Sequence, residues 1–290
     1  MGELLLPALG ALPVGLLLGA IVGILGAGGG IIALPVLIHI YGHSPHVATM
    51  ESLMIVWATA LIALIQKIRK SNATQPLPWR IAINFAIFSM LGAIIGRHIA
   101  PHIHEDILMW AFATFVLIVA IAMILNGWKG KEDSEEAEDF ENSSKSMVVE
   151  KSSGSAGARA GLWSMVHFAA VAAGVGALTG LFGVGGGFIV VPALCVLGGM
   201  GMYTATGAST VVMFLTATAG ILSPLVGSMI AGGGVGLYGA VDWPVVGGFG
   251  AGSIVAAAIA SPLGALVPEK WLRRSFIVLL ILIGVLSFLL

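Results

Sequence analysis

Charge is scarce in this chain of 290 residues: only 9% are Asp, Glu, Lys or Arg, while 58% are hydrophobic. An ordinary soluble domain carries about 25% charged residues. Mean hydropathy is +1.04. A soluble fold of this size could not hide that much apolar surface, so the reading is an integral membrane protein with the bilayer as its solvent. There is no basic excess either. Thirteen Lys and Arg stand against fourteen Asp and Glu, for a formal net charge of −1, and nothing in that balance points to nucleic acid. The single cysteine, Cys195, excludes an intrachain disulfide and any multi-cysteine metal site. It reads as a small apolar filler. The opening MGELLLPALG has no positive stretch and no small-residue cleavage site, and is read as mature sequence. No Ser-His-Asp arrangement or cofactor motif is present, so no enzyme activity and no cofactor are expected.

What is abundant is glycine, and it is patterned. Residues 23–35 read GILGAGGGIIALP and residues 180–192 read GLFGVGGGFIVVP, with seven of thirteen positions identical. The match continues into VATMESLM (47–54) and TATGASTV (204–211), pairing Ala48 with Ala205, Thr49 with Thr206 and Ser52 with Ser209. Farther on, Trp79 matches Trp243 and Glu105 matches Glu269. Between the copies lies a polar, Ser/Gly-rich stretch, 128–160, that holds most of the acidic residues and has no apolar periodicity. The chain therefore divides into a first membrane repeat (1–127), a polar acidic linker (128–160) and a second membrane repeat (161–290), a common build for transporters.

Apolar segments fall near 4–40, 47–66, 80–100 and 107–127, then 162–197, 204–227, 244–266 and 271–290. Three per half have the roughly 20 residues needed for one crossing. The first of each half is longer and is cut by the glycine phrase, each glycine costing a helix about 1 kcal/mol. Broken backbone at membrane depth is tolerated only inside protein or beside water. The two arms form either one bent crossing or a hairpin that returns to its starting side. Loop 66–80, with Lys67, Arg69, Lys70 and Arg80, should be cytoplasmic, as should the turn carrying Lys270, Arg273 and Arg274. Loop 228–243 has no Lys or Arg and should lie outside. These placements agree only if the halves are inverted, which favours an all-α protein of two inverted repeats, each a Gly-broken helical hairpin plus three transmembrane helices. Eight plain spans in parallel repeats are the rival.

The glycine phrase is not a dinucleotide loop, because no strand precedes it. Gly15, Gly19 and Gly23, like the pairs Gly92/Gly96 and Gly176/Gly180, sit at four-residue spacing and read as helix-packing positions. Gly28, Gly29 and Gly30, with Gly185, Gly186 and Gly187, read either as packing or as an anion site. A second arm begins after each cluster, its first N–H groups lack internal partners and carry partial positive charge, and glycine lets a ligand touch the backbone. Two such ends brought together would bind an anion without a fixed cation in the bilayer. Thr49 and Ser52 lie on one face of the next helix, and Thr206 and Ser209 repeat them. Their hydroxyls either bond their own helix carbonyls or donate to an oxyanion. Glu51, inside an apolar helix, is a candidate for coupling transport to protons; its alternative place is in water at the helix N-terminal turn. Arg97, at the end of an apolar segment, is expected to snorkel to the interface. The nearby His98, His102 and His104 are too weak a pattern to assign a metal.

The duplicated glycine phrase, the Ala-Thr…Ser module after it and the polar central linker resemble the sulfite exporter TauE/SafE family of membrane permeases. The resemblance spans nearly the whole chain. It implies an inner-membrane secondary transporter that moves a small sulfur-containing oxyanion such as sulfite or an organosulfonate, usually outward, through inverted repeats in a homodimer. The family's glycine phrase falls on Gly26, Gly28, Gly29 and Gly30, and on Gly183, Gly185, Gly186 and Gly187. Its small-polar module falls on Ser52 and Ser209. Met50-Glu51-Ser52 departs from the family's Gly-Thr-Ser run, which opens the substrate and the coupling ion to question. A permease for another small anion or metabolite, or a non-transporting structural or assembly protein, are the alternatives.

Overall fold

The computed structural model describes residues 2–25, 29–70, 78–129, 155–196, 200–230, 239–264 and 267–289. Every regular element among them is helical. The first half contains α1 (Gly2–Leu25), α2 (Gly30–His39), α3 (Pro45–Lys70), α4 (Trp79–Ile99) and α5 (Glu105–Lys129). The second contains α6 (Ser155–Phe182), α7 (Gly187–Val196), α8 (Met202–Ile230), α9 (Trp243–Gly264) and α10 (Glu269–Leu289). A short 3-10 turn, Ala100–His102, joins α4 to α5. The two halves thus list the same elements in the same order, and α2 and α7 have the same length of 10 residues. Among the described residues, six helices are long and apolar enough to cross a membrane, three in each half: α3, α4, α5, α8, α9 and α10. The chain is a multi-pass membrane protein. The ends of the expected linker, up to Lys129 and from Ser155, are helical; the rest of it lies outside the described residues.

The glycine phrase breaks the first segment of each half as its composition requires. An arm of ten residues reaches only about 15 Å, half the hydrocarbon thickness. Tyr41 lies beside Gly10, while Leu18 and Val22 press on Gly29. Contacts that pair late residues of α2 with early ones of α1 mean that α2 folds back along α1 as a hairpin. The hairpin ends in a Schellman-type turn. His43 N–H bonds the Leu37 carbonyl (3.1 Å) and Gly42 N–H bonds that of Ile38 (3.1 Å), with Gly42 at φ 68°.

The halves are interlocked. α1 packs on α9 of the second half, and α6 packs on α4 of the first. Both contacts use the small residues expected for close packing. Gly15 and Gly19 lie on the backbones of Phe249 and Ser253, and Gly23 lies on Ala260 and Ser261. In the matching pair, Gly92 and Gly96 lie on Ala173 and Ala177, and Gly176 and Gly180 on Ser89 and Ala93. None of these glycines has room for a Cβ, so close backbone approach takes the place of a hydrophobic driving force between helices that lipid cannot supply. At the centre α3 crosses α8. Lys67 meets Thr206 and Thr210, Trp57 meets Thr218, and Leu53 meets Gly220, so these two helices run antiparallel.

Candidate anion site between the glycine breaks

The two breaks meet. Gly30, the first residue of α2, lies directly on the backbone of Val184 in the second break. Gly183 lies on the backbone of Thr49, and Gly185 lies on the side chain of Val56, both on α3. The second break is built from three left-handed glycines, Gly183 (φ 68°), Gly185 (φ 72°) and Gly186 (φ 77°), a conformation that costs other residues about 1–2 kcal/mol each. Gly29 instead takes ordinary right-handed angles (φ −63°, ψ −10°) as the N-cap of α2, with no side-chain cap. Gly28, with Gly26, lies outside the described residues.

Both short arms start in this junction, with their N-terminal ends buried. The first helical N–H bonds of α2 run from Ile32 and Ala33 to the Gly29 carbonyl, and those of α7 from Ile189 and Val190 to the Gly186 carbonyl. The amides of Gly30 and Ile31, and of Gly187 and Phe188, come before that ladder and have no acceptor within the helix. Gly186 sits against the hydroxyl of Thr179, which itself donates to the Val175 carbonyl (2.8 Å).

The hydroxyl module divides. Ser52, fully buried, donates across to the Gly30 carbonyl at 3.5 Å, joining α3 to the first break. Thr49 donates to the His46 carbonyl (2.8 Å), Thr206 to Met202 (2.7 Å) and Ser209 to Thr206 (3.0 Å), all on their own helices, as membrane Ser and Thr commonly do. The structure therefore brings together Gly29, Gly30, Thr49, Ser52 and the second glycine cluster. Thr206 is hydrogen-bonded instead at the other end of α3.

Two side chains depart from expectation. Arg97 does not snorkel: it is only 4% exposed, and its Nη1 donates to the Thr49 hydroxyl at 2.7 Å. The last turn of α4 faces inward over α3 here, so a fixed cation stands beside the breaks after all. Lys67 is not in a loop. α3 continues through it, and its half-buried ammonium donates to the Thr206 carbonyl (2.7 Å) and the Thr210 hydroxyl (2.9 Å). Neither position was visible from spacing, since apolar segments that end in Arg or Lys usually end in water. The one signal available was the polar character of Thr206 and Thr210, whose turn offers acceptors to a donor.

Glu51 is not in water; it is fully buried. His43 Nδ1 donates to its Oε2 at 2.6 Å, and the backbone N–H of Asp242 donates to its Oε1 at 2.8 Å. Asp242 in turn caps α9 by accepting from the Val245 N–H (3.3 Å), and it lies 3.8 Å from His43 Nε2. Glu51 thus ties the hairpin turn of the first half to the start of α9 in the second. Tyr41, in the same turn, has its phenol held above its usual pKa, first by burial and then by the negative charge of Asp242. His43 and Asp242 carry no sequence pattern of their own and were not foreseen. Among the described residues, no three His, Cys, Asp or Glu gather as a metal would need.

Comparison with known proteins fits this architecture. The chain is 29% identical over 248 residues to a protein named "Probable membrane transporter protein" from Xylella fastidiosa, covering 85% of this chain and 81% of that one. It is 24% identical over 281 residues to "Probable membrane transporter protein YunE" from Bacillus subtilis, covering 93% of each. No solved structure matches significantly. The description "Sulfite exporter TauE/SafE" matches residues 11–287. With that match running from α1 to α10, the chain belongs to the sulfite exporter TauE/SafE family: it is a membrane transporter, not an enzyme.

Proposed function

We propose that this transporter is a secondary carrier that exports a small sulfur-containing oxyanion, such as sulfite or an organosulfonate, from the cell across the inner membrane. The observation that carries the reading is the junction itself. Two glycine breaks touch, two helix N-termini begin there, and a buried arginine bonds the hydroxyl of Thr49 between them. Partial positive charge from helix ends and the full charge of Arg97 favour an oxyanion, and the low dielectric of the interior strengthens both. Arginine's fork matches two oxygens of one anion. Gly29, Gly30, Gly185, Gly186 and Gly187, with Gly28, would supply backbone contacts. Ser52 and Thr49 would supply hydroxyls; Thr206 and Ser209 lie beside Lys67 at the other end of α3 and take no part in this junction.

The repeats are inverted in this reading, as the antiparallel crossing of α3 and α8 supports. The charged end of α3 is then cytoplasmic, together with Arg273, which donates to the Met123 carbonyl at the same end of α5 (3.1 Å). Glu51, buried and hydrogen-bonded to His43, is the proton-coupling group in this reading. The carrier works as a homodimer in the bilayer.

Flux in reconstituted liposomes tests the reading. Sulfite or a sulfonate crosses with the wild-type chain. Gly186→Leu, which fills the left-handed break against Thr179, reduces flux to the liposome background. Wild-type liposomes that move none of sulfite, thiosulfate, sulfate or sulfonates would refute the substrate class.

A further inference from the structure

The anion site described above makes no use of Lys67, which lies at the interface between α3 and α8. Its surroundings are rich in donors and poor in acceptors. Three donors converge on a single oxygen, the Thr206 carbonyl: Lys67 Nζ at 2.7 Å, Thr210 Oγ1 at 2.9 Å and Ser209 Oγ at 3.0 Å. A carbonyl oxygen offers two lone pairs. Lys67 reaches one further acceptor, the Thr210 hydroxyl, which leaves the third proton of its ammonium without an acceptor among the described residues. No carboxylate among them lies within ion-pair distance of Nζ. Ser209 and Thr210 are fully buried, while Lys67 is half-buried. A ligand suited to this corner brings negative charge and several acceptor oxygens, while a metal ion or an organic cation is repelled.

Position along α3 sharpens the point. Thr49, which holds Arg97, and Lys67 lie on the same helix, roughly 27 Å apart at 1.5 Å per residue. The hydrocarbon core is about 30 Å thick. The two cations therefore stand near opposite ends of the interface between the repeats, each bonded to one of the paired threonines, Arg97 to the Thr49 hydroxyl and Lys67 to the Thr206 carbonyl. Arginine is held rigidly by burial. Lysine, a point charge on a flexible four-carbon stem, can leave Thr206 and follow a ligand.

We propose that Lys67, Thr210 and Ser209 form a second oxyanion station, distinct from the junction of the glycine breaks, which receives the anion at the end of the path where α3 terminates. The proposal rests on the anion-transport reading. It extends that reading by giving the transporter two stations of unequal chemistry, one at each end.

The test is sulfite flux in proteoliposomes of defined orientation, started from either face. Lys67→Gln raises the half-saturating sulfite concentration about tenfold at the face where α3 ends, the loss of one charge-assisted contact, and changes it less than about twofold at the other face. Lys67→Arg restores most of the loss. Thr210→Val, which keeps the charge and the fold of α3, gives a shift of about threefold at the same face alone. Unchanged half-saturation in Lys67→Gln and Thr210→Val, or equal changes at both faces, overturns the station and makes Lys67 a tie between α3 and α8. A wild-type chain that moves no oxyanion overturns the transport reading and the station with it.

Discussion

The two halves of this transporter share a backbone and differ in their charges. Both have a long first helix, a glycine break, a short arm of ten residues and a polar module one helix later. Yet Glu51 in the first module faces Ala208 in the matching place, and the position matching Arg97, counted from the Trp79–Trp243 pair, is Ser261. The cation at Thr49 comes from α4 of the same half, while the one at Thr206 and Thr210 comes from α3 of the other half. Duplication preserved what builds the broken helices and let the charged groups diverge. An inverted pair of identical halves would work equally in both directions. Unequal charges at the two ends let the two faces bind a ligand with unequal affinity, while the gradients across the membrane set the direction of net transport.

The breaks themselves differ, and substitution should separate them. Gly183→Ala sets a Cβ against the Thr49 backbone at a left-handed φ of 68°. Neither side can yield, and the expected cost is about 3 kcal/mol or more. Gly30→Ala meets the Val184 backbone and belongs in the same class. Gly29→Ala meets side chains, those of Leu18 and Val22, and not backbone, at ordinary angles. Both side chains are buried, but side chains yield more readily than backbone, so the cost should be smaller, about 1–2 kcal/mol. Thermal unfolding in detergent measures the order, and equal losses at Gly183 and Gly29 would mean that the two breaks are held alike.

Glu51→Gln comes next. Glutamine keeps an oxygen for the Asp242 N–H but removes the charge facing His43, for a loss of about 1–2 kcal/mol. If Glu51 couples transport to protons, flux through Glu51→Gln no longer varies with pH; a pH profile identical to wild type removes the residue from coupling. The mirror change, Ala208→Ser, should be nearly silent in flux, within about twofold, because a small hydroxyl in a membrane helix bonds its own turn.

The fold was largely legible in the sequence because its causes are compositional or repeated. The spans follow from apolar runs, the breaks from clustered glycines, and the helix contacts from Gly15, Gly19, Gly92 and Gly96 at four-residue spacing. The fold-back of α2 was one of two readings, and the choice needed the contacts of Tyr41 and Leu18. The site was legible only in its backbone and hydroxyl parts. Arg97 and Lys67 were read by their place in the linear order, at the ends of apolar segments, where water is the usual neighbour. Which way the last turn of a helix faces depends on the helix packed against it, here α3 under Arg97 and α8 under Lys67. His43 and Asp242 are 199 positions apart in the numbering and meet only because α3 packs on α9.

Equilibrium binding of sulfite and a short sulfonate to the purified chain, wild type against Arg97→Gln, tests the central claim most directly. Saturable binding by the wild type, weakened about a hundredfold in Arg97→Gln by the loss of a buried charge-assisted contact, is the predicted result. Binding of equal strength in the two proteins would contradict it, because the anion would then be held away from the junction of the glycine breaks.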